Sequence, residues 1–316
     1  MQLPEVSFVV PLYNEEAGFE ALVKRLDVII EQSDFAIEVV FINDGSKDKT
    51  AELMRALAFS NPHYHCVFLS RNFGHQLAVT AGMSVARGTE AFIIIDGDLQ
   101  DPPELVFDFY KKIKEGNDVV YGVRKIRKDE GSFKKQTSHY FYRVLQRLTD
   151  VYIPEDSGDF CMINRKVADV MNKMPEGDRF LRGIRAWVGF KQTEYKYDRG
   201  ERVAGETKYT IKKMFRLAMN AIFGFSDVPI KLMTRTGILT ILIALSYLGY
   251  TLVKKYMTGH EVESGFSGLL FAIILLGGVQ LLSTGIIGEY VVRTFFQLKQ
   301  RPLFIISERI EKGEEK

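Results

Sequence analysis

Apolar residues in the first part of the chain fall into short unbroken runs, "VSFVV", "IEVVFIND", "HCVFLS" and "TEAFIIIDGD". Between the runs, apolar positions take helical spacing. Phe19, Leu22, Val23, Leu26 and Ile29/Ile30 share one face of a helix expected over residues 15–32. Further helices are predicted near residues 49–60 and 76–86, and a fifth run, "DVVYG", follows at 118–122. Strands that are apolar along their whole length are covered on both faces. Their alternation with helices predicts an α/β fold on a mainly parallel, doubly wound sheet.

Later in the chain the pattern changes. Residues 266–287, "FSGLLFAIILLGGVQLLSTGII", carry no charge. At about 1.5 Å per residue this stretch crosses a bilayer core of roughly 30 Å. Residues 237–253 form a shorter apolar segment that Lys254 and Lys255 extend by snorkelling. A buried helical hairpin is the alternative, and apolarity on every side of the second segment argues against it. The predicted boundaries are a catalytic domain over 1–208, an amphipathic interfacial segment over 209–231, membrane helices over 232–258 and 266–290, and a cytoplasmic tail over 291–316. Lys231 and Arg235 before the pair, and Arg293, Lys299, Arg301 and Arg309 after it, outnumber the loop lysines Lys254 and Lys255. The positive-inside rule then places both ends in the cytoplasm of a multi-pass plasma-membrane protein.

Polar residues collect at the carboxyl ends of the expected strands: "PLYNEE", "NDGS", "SRNFG" and "DGDLQDP". In open α/β sheets ligands bind beyond those ends. Asp96, Asp98 and Asp101 crowd one such end, and crowded carboxylates need a nearby positive charge. Neither G-x-G-x-x-G nor G-x-x-x-x-G-K-[ST] is present, so phosphates need another holder. Mg²⁺ or a similar hard cation fits, because it binds one or two carboxylates together with substrate phosphates. Gly97 lets the turn bring both acids toward one point. A lone D-x-D also arises by chance or as a helix cap; its position at the end of a buried strand favours the metal.

Composition removes other classes. The chain has 316 residues and a net charge of only +2, which gives no case for nucleic acid. Cys66 and Cys161 lack metal-ligand spacing and read as buried thiols in a reducing compartment. Residues 1–5 lead straight into a strand, so no signal peptide is expected.

"FVVPLYNEE", "FINDGSKDKT", "RNFGHQLAVTAG", "DGDLQDPPE", "SGDFCMINR" and "ERVAGETKYTIKKM", in that order and followed by two apolar spans, resemble glycosyltransferase family 2. Within it the likeness is to polyprenyl-phosphate glycosyltransferases, including bactoprenol glucosyltransferases and dolichyl-phosphate mannose synthases. The resemblance covers nearly the whole chain. It implies a GT-A fold, a nucleotide-sugar donor, a polyprenyl phosphate acceptor at a membrane, and Mg²⁺ or Mn²⁺ as cofactor. A homo-oligomer is compatible with it.

The resemblance also implies roles. Pro11, Tyr13 and Glu15 line a nucleoside pocket, with Glu15 toward a ribose hydroxyl; the alternative for Glu15 is a helix-start acid. Asp44 accepts from the base, or is a turn residue before Gly45. Asp96 and Asp98 serve ribose and metal, Gln100 joins the metal shell, and Asp98 counts with Asp159 as catalytic. Arg124 is a phosphate ligand or an ordinary exposed arginine. Asp159 is the acceptor-side base, or the cap of the helix at 165–174. Arg202 and Lys208 sit on a Gly-containing loop that folds over the diphosphate, or on an ordinary solvated loop. Met214 to Phe225, with Lys212, Lys213 and Arg216 interleaved, forms an interfacial amphipathic helix or a linker packed on the protein.

The implied reaction moves a hexose, glucose in the first instance, from UDP-glucose to polyprenyl phosphate with inversion. GDP-mannose is the other donor in view. A phosphate monoester has a second pKa near about 6, so strong base catalysis is less necessary than for a hydroxyl acceptor. A processive polysaccharide synthase would carry Q/R-x-x-R-W and many spans; here "RGIRAW" at 182–187 is one residue out of register. A non-catalytic membrane scaffold need not retain Asp96, Asp98 and Asp159.

Overall fold

The computed structural model describes residues 3–125, 157–177, 179–198, 226, 228–258, 265–311 and 313–315. Arg202, Lys208 and the segment from Met214 to Phe225 lie outside them. The chain divides into two compact units, one built on a sheet and one of two long helices.

The sheet unit opens with β1 (Val6–Leu12), β2 (Ile37–Asn43), β3 (Tyr64–Leu69) and β4 (Ala91–Ile94), every residue of which is buried. Their pairings are parallel, with β1 between β2 and β4 and β3 outside β2. Helices α1 (Glu16–Gln32), α2 (Thr50–Ser60) and α3 (His75–Val85) connect them. α1 buries Phe19, Leu22, Leu26 and Ile29, the stripe its spacing predicts, and sets Phe19 5.5 Å from Phe41 of β2. α3 lies unusually close to the sheet. A Cβ on Gly82 would stand 2.5 Å from Ile42 Cδ1 and 2.6 Å from Val9 Cγ1, so only glycine permits this depth.

Beyond β4 the sheet becomes mixed. After α4 (Val106–Lys114) come β5 (Val119–Arg124) and β6 (Ser157–Asn164). β6 runs antiparallel between β4 and β5, and β7 (Gln192–Tyr197) pairs parallel outside β5. Between β6 and β7 lie α5 (Arg165–Lys173) and the short α6 (Leu181–Trp187). The parallel expectation therefore holds for the first four strands and not for the whole sheet.

The segment expected as a cytoplasmic tail is also structured. Strand β8 (Ile306–Glu311) pairs antiparallel with β3, and β9 (Glu314–Glu315) closes a hairpin on it. Ile310 is fully buried, and Arg55 of α2 forms a two-pronged pair with Glu308. The sheet order is β7-β5-β6-β4-β1-β2-β3-β8-β9. Its last strand is two glutamates long, short and charged enough to discourage pairing with another chain.

The second unit contains α7 (Val228–Thr258) and α8 (Phe266–Leu298). Each is long and apolar enough to cross a membrane, over Val228–Tyr247 and Ala272–Leu298. Lys231 and Arg235 stand inside α7 and Arg293 inside α8, so both helices run past the expected boundaries. Leu239, Ile243, Leu276 and Leu282 are among their exposed side chains.

Candidate active site

Because β1 to β4 are parallel, their carboxyl ends lie along one edge, and the loops leaving them interlock there. Asn14 adopts a left-handed backbone, φ 54°, that lets its side chain accept from the Lys47 amide (2.8 Å) while its own amide donates to Ser46 Oγ (3.0 Å). The Glu15 amide donates to Thr50 Oγ1 at 3.0 Å. Glu15 occupies the cap position of α1 without a capping bond from its side chain. Pro11 is buried within β1, and Tyr13 is half-buried just beyond it.

Asp44 binds the next loop. Its carboxylate accepts from the amides of Phe73 (2.7 Å) and Gly74 (2.9 Å), and its carbonyl accepts from Asn72 Nδ2 (3.0 Å). Burial raises the Asp44 carboxyl above its usual range despite those amides. Gly45, at φ 67°, completes the fit, since a Cβ there would lie 2.7 Å from the Asn72 nitrogen. Asp44 thus joins two loops.

The acidic turn after β4 divides its labour. Gly97 presses so close to Leu12 that a Cβ would lie 2.3 Å from Leu12 Cδ2. Leu99 is held at φ 57°, a strained conformation for a branched residue. Asp98 accepts from the Gln100 amide at 3.2 Å, and Gln100 is half-buried on the same turn. Asp101 is buried, accepts from the Tyr197 hydroxyl and stands 3.6 Å from Arg124 Nη2. Arg124, a sequence candidate for phosphate, is therefore paired with Asp101. Among the described residues no three His, Cys, Asp or Glu side chains converge into a protein-only cation cage. Two carboxylates on one glycine-containing turn fit a Mg²⁺ or Mn²⁺ ion that takes its remaining oxygens from phosphate and water.

Asp96 and Asp159 are drawn into one cluster by residues the sequence reading did not assign. His75 opens α3 with Nε2 2.7 Å from Asp96 Oδ1 and Nδ1 3.8 Å from Asp159 Oδ2. Gln76 Nε2 donates to Asp159 Oδ2 at 3.2 Å, and Gln76 Oε1 accepts from the Leu181 amide at 2.7 Å. Arg182 grips Asp159 from α6, with Nε 2.7 Å from Oδ1 and Nη2 3.3 Å from Oδ2. Asn164 caps α5 through the Val167 amide at 3.0 Å, so Asp159 is not that cap. Burial opposes a charge on each group, and the neighbours override it. Asp96, with Asp159 behind it, raises His75 to about 9. Burial would likewise raise Asp159, but Arg182, His75 and Arg185 hold it far below the usual carboxylate range. Asp96 is lowered against its own burial by His75.

Comparison with known proteins fixes the family. Residues 7–171 match the model of glycosyl transferase family 2, just over half of the chain. The chain belongs to glycosyl transferase family 2. It is 46% identical over 302 residues to the uncharacterized glycosyltransferase YkcC of Bacillus subtilis, spanning 96% of this chain and 93% of YkcC. It is 37% identical over 308 residues to the prophage bactoprenol glucosyl transferase homolog of Escherichia coli, spanning 98% and 100% of the two chains. Among solved structures, mannosyltransferase PcManGT from Pyrobaculum calidifontis, in complex with GDP-Man and Mn²⁺, is 18% identical. Its TM-score is 0.45, covering 96% of this chain and 89% of that one.

In this family 2 glycosyltransferase the fold is GT-A, with the mixed sheet described above. Strand ends in the sequence point to Asp44, Asp96 and Asp98, the family resemblance points to Asp159, and neither points to His75, Gln76 or Arg182. His75 and Gln76 follow the Gly74 that ends the third polar loop. Arg182 lies in "RGIRAW", a stretch weighed only as a synthase motif out of register. A basic residue three positions before Arg185 on a helix facing the "SGD" strand was the available signal.

Proposed function

We propose that this glycosyltransferase moves glucose from UDP-glucose to polyprenyl phosphate, with inversion, at a membrane surface. The observation that carries the reading is likeness over nearly the full chain, apolar helices included, to proteins named bactoprenol glucosyl transferase at 36–37% identity. The site supports it with two acidic stations on one sheet edge. Asp96, Asp98 and Gln100 face the donor diphosphate, and Asp159 faces the acceptor. Tyr13, Glu15 and Asp44 flank the nucleoside, while Arg202 and Lys208 add positive charge for phosphate and Arg124 stays paired with Asp101. Asp98, with Asp96 and Gln100, would hold a Mg²⁺ or Mn²⁺ ion, which would supply positive charge for the departing diphosphate. The acceptor phosphate arrives largely as a dianion near neutral pH and needs no base. α7 and α8 hold the enzyme in the bilayer, with both chain ends on the cytoplasmic side.

The test is direct. Purified enzyme with radiolabelled UDP-glucose and polyprenyl phosphate should yield a labelled lipid, and omission of the lipid should abolish it. Asp98→Ala should lower kcat by about two or more orders of magnitude, since a metal interaction worth several kcal/mol is lost. Label transferred from GDP-mannose and not from UDP-glucose would overturn the donor assignment. Full activity of Asp98→Ala would overturn the metal assignment.

A further inference from the structure

The amide of Gln76 has one possible orientation. The Leu181 backbone N–H can only donate, so the oxygen facing it at 2.7 Å is Oε1. An ionised Asp159 can only accept, so the nitrogen 3.2 Å from Oδ2 is Nε2. Gln76 therefore ties three elements together: its own helix α3, strand β6 through Asp159, and the start of α6 through Leu181. Arg182 completes the grip on both Asp159 oxygens. A carboxylate with only 9% of its side chain exposed, and held by an arginine and an amide, is poorly suited to collect a proton.

We propose that Gln76 is a positioning residue: with Arg182 it fixes Asp159 as an oriented anion, and Asp159 acts through its charge and not as a proton acceptor. The proposal rests on the reaction given above. In that reaction an oxygen of the acceptor phosphate dianion forms a bond to C1 of the sugar. The bond from C1 to the diphosphate oxygen breaks, and its electron pair leaves with the nucleoside diphosphate. No proton changes hands, and the total charge is the same before and after. Asp159 then serves by keeping Arg182 and the His75–Asp96 pair in place at the face the acceptor meets.

The decisive variant is Gln76→Glu, which keeps the acceptor for the Leu181 amide and sets a second carboxyl against Asp159. The charged groups around this pair are His75 on α3, Asp159 on β6, and Arg182 and Arg185 on α6, with Asp96 beyond His75. Two adjacent carboxyls bind one proton more tightly than either would alone. Protonated, the introduced carboxyl donates to Asp159 as the glutamine amide does; ionised, it repels. Full-length enzyme is assayed across pH, and kcat is expressed as the ratio of variant to wild type, which cancels titration of the lipid phosphate. At pH about 8 the ratio should be lower by about 10- to 100-fold, the range for one hydrogen bond to a charged group. It should recover by about tenfold toward pH about 5, with the donor KM unchanged. Gln76→Met, uncharged and of similar length, should lose kcat with a ratio flat in pH, and it serves if the Glu variant does not fold. A flat ratio for Gln76→Glu, or wild-type kcat in Gln76→Met, overturns the proposal. If wild-type enzyme does not glucosylate polyprenyl phosphate, the substrate reading fails by itself. The same ratio is then measured with whichever nucleotide sugar a thermal-shift screen returns.

Discussion

Gly82→Ala tests whether the depth of α3 sets the site. Its Cβ would stand 2.5 and 3.0 Å from two carbons of Ile42 and 2.6 Å from Val9 Cγ1, roughly 1 Å inside ordinary contact. Val9 and Ile42 are completely buried in adjacent strands and have little room to retreat. Overpacking of this kind costs about 1–3 kcal/mol, while replacing a helical glycine by alanine returns about 1 kcal/mol of propensity. The balance is a loss of up to about 2 kcal/mol, or a fall in Tm of about 2–4 °C per kcal/mol for a unit of this size. Gly18→Ala is the matched control. It also lies in a helix, nothing stands within 4 Å of its added Cβ, and propensity alone should raise Tm slightly. Since α3 carries His75 and Gln76 at its first turn, Gly82→Ala should also lower kcat, whereas Gly18→Ala should not. Thermal melts of the full chain in detergent, with steady-state kinetics on the same samples, check both. A Gly82→Ala enzyme as stable and as active as Gly18→Ala would refute the close-packing argument.

Other expectations are as specific. His75 is raised to about 9 in the folded chain, above its ordinary value near 6.5, so its pairing stabilises below about pH 6.5 and is lost as pH rises through about 9. In chelator, the Tm advantage of wild type over His75→Gln should be full at pH 6 and gone by pH about 10; an advantage that grows with pH contradicts the assignment. Asp101→Ala should destabilise by about 3 kcal/mol, because it strands the half-buried Arg124 and the Tyr197 hydroxyl. Tyr197→Phe should cost only about 1 kcal/mol, and an equal loss in both variants would mean Arg124 gains little from Asp101.

What the sequence could disclose follows from how local each feature is. The runs Val6–Leu12 and Ile37–Asn43 and the stripe on α1 are periodic within one element, so strands, helix and burial were legible together. The acids of the "DGD" turn were legible because a buried strand ends there. β6 is not among the strands the sequence predicts, and its antiparallel entry between β4 and β5 depends on residues outside any local pattern. β8 was hidden for another reason. Charged residues dominate "SERIEKGEEK", and Ile310 is the one wholly buried apolar side chain there. The contact of His75 with Asp96 and the grip of Arg182 on Asp159 join positions 21 and 23 residues apart. Such contacts exist only once α3 and α6 are seated.

The strand that flanks β3 is synthesised after β3 and α2, against which it packs. Until residues 306–311 leave the ribosome, the outer edge of β3 lacks its partner, Glu308 cannot meet Arg55, and Ile310 cannot seal that end of the core. Both long apolar helices precede this strand in the chain, so they are made before the sheet can close. A nascent chain halted after Arg301 should therefore be cut readily by protease within the sheet unit, whereas the released full-length chain resists. Closure of the sheet is thereby timed behind synthesis of both apolar helices, and a chain truncated before Ile306 would be a substrate for quality control and not a slower catalyst.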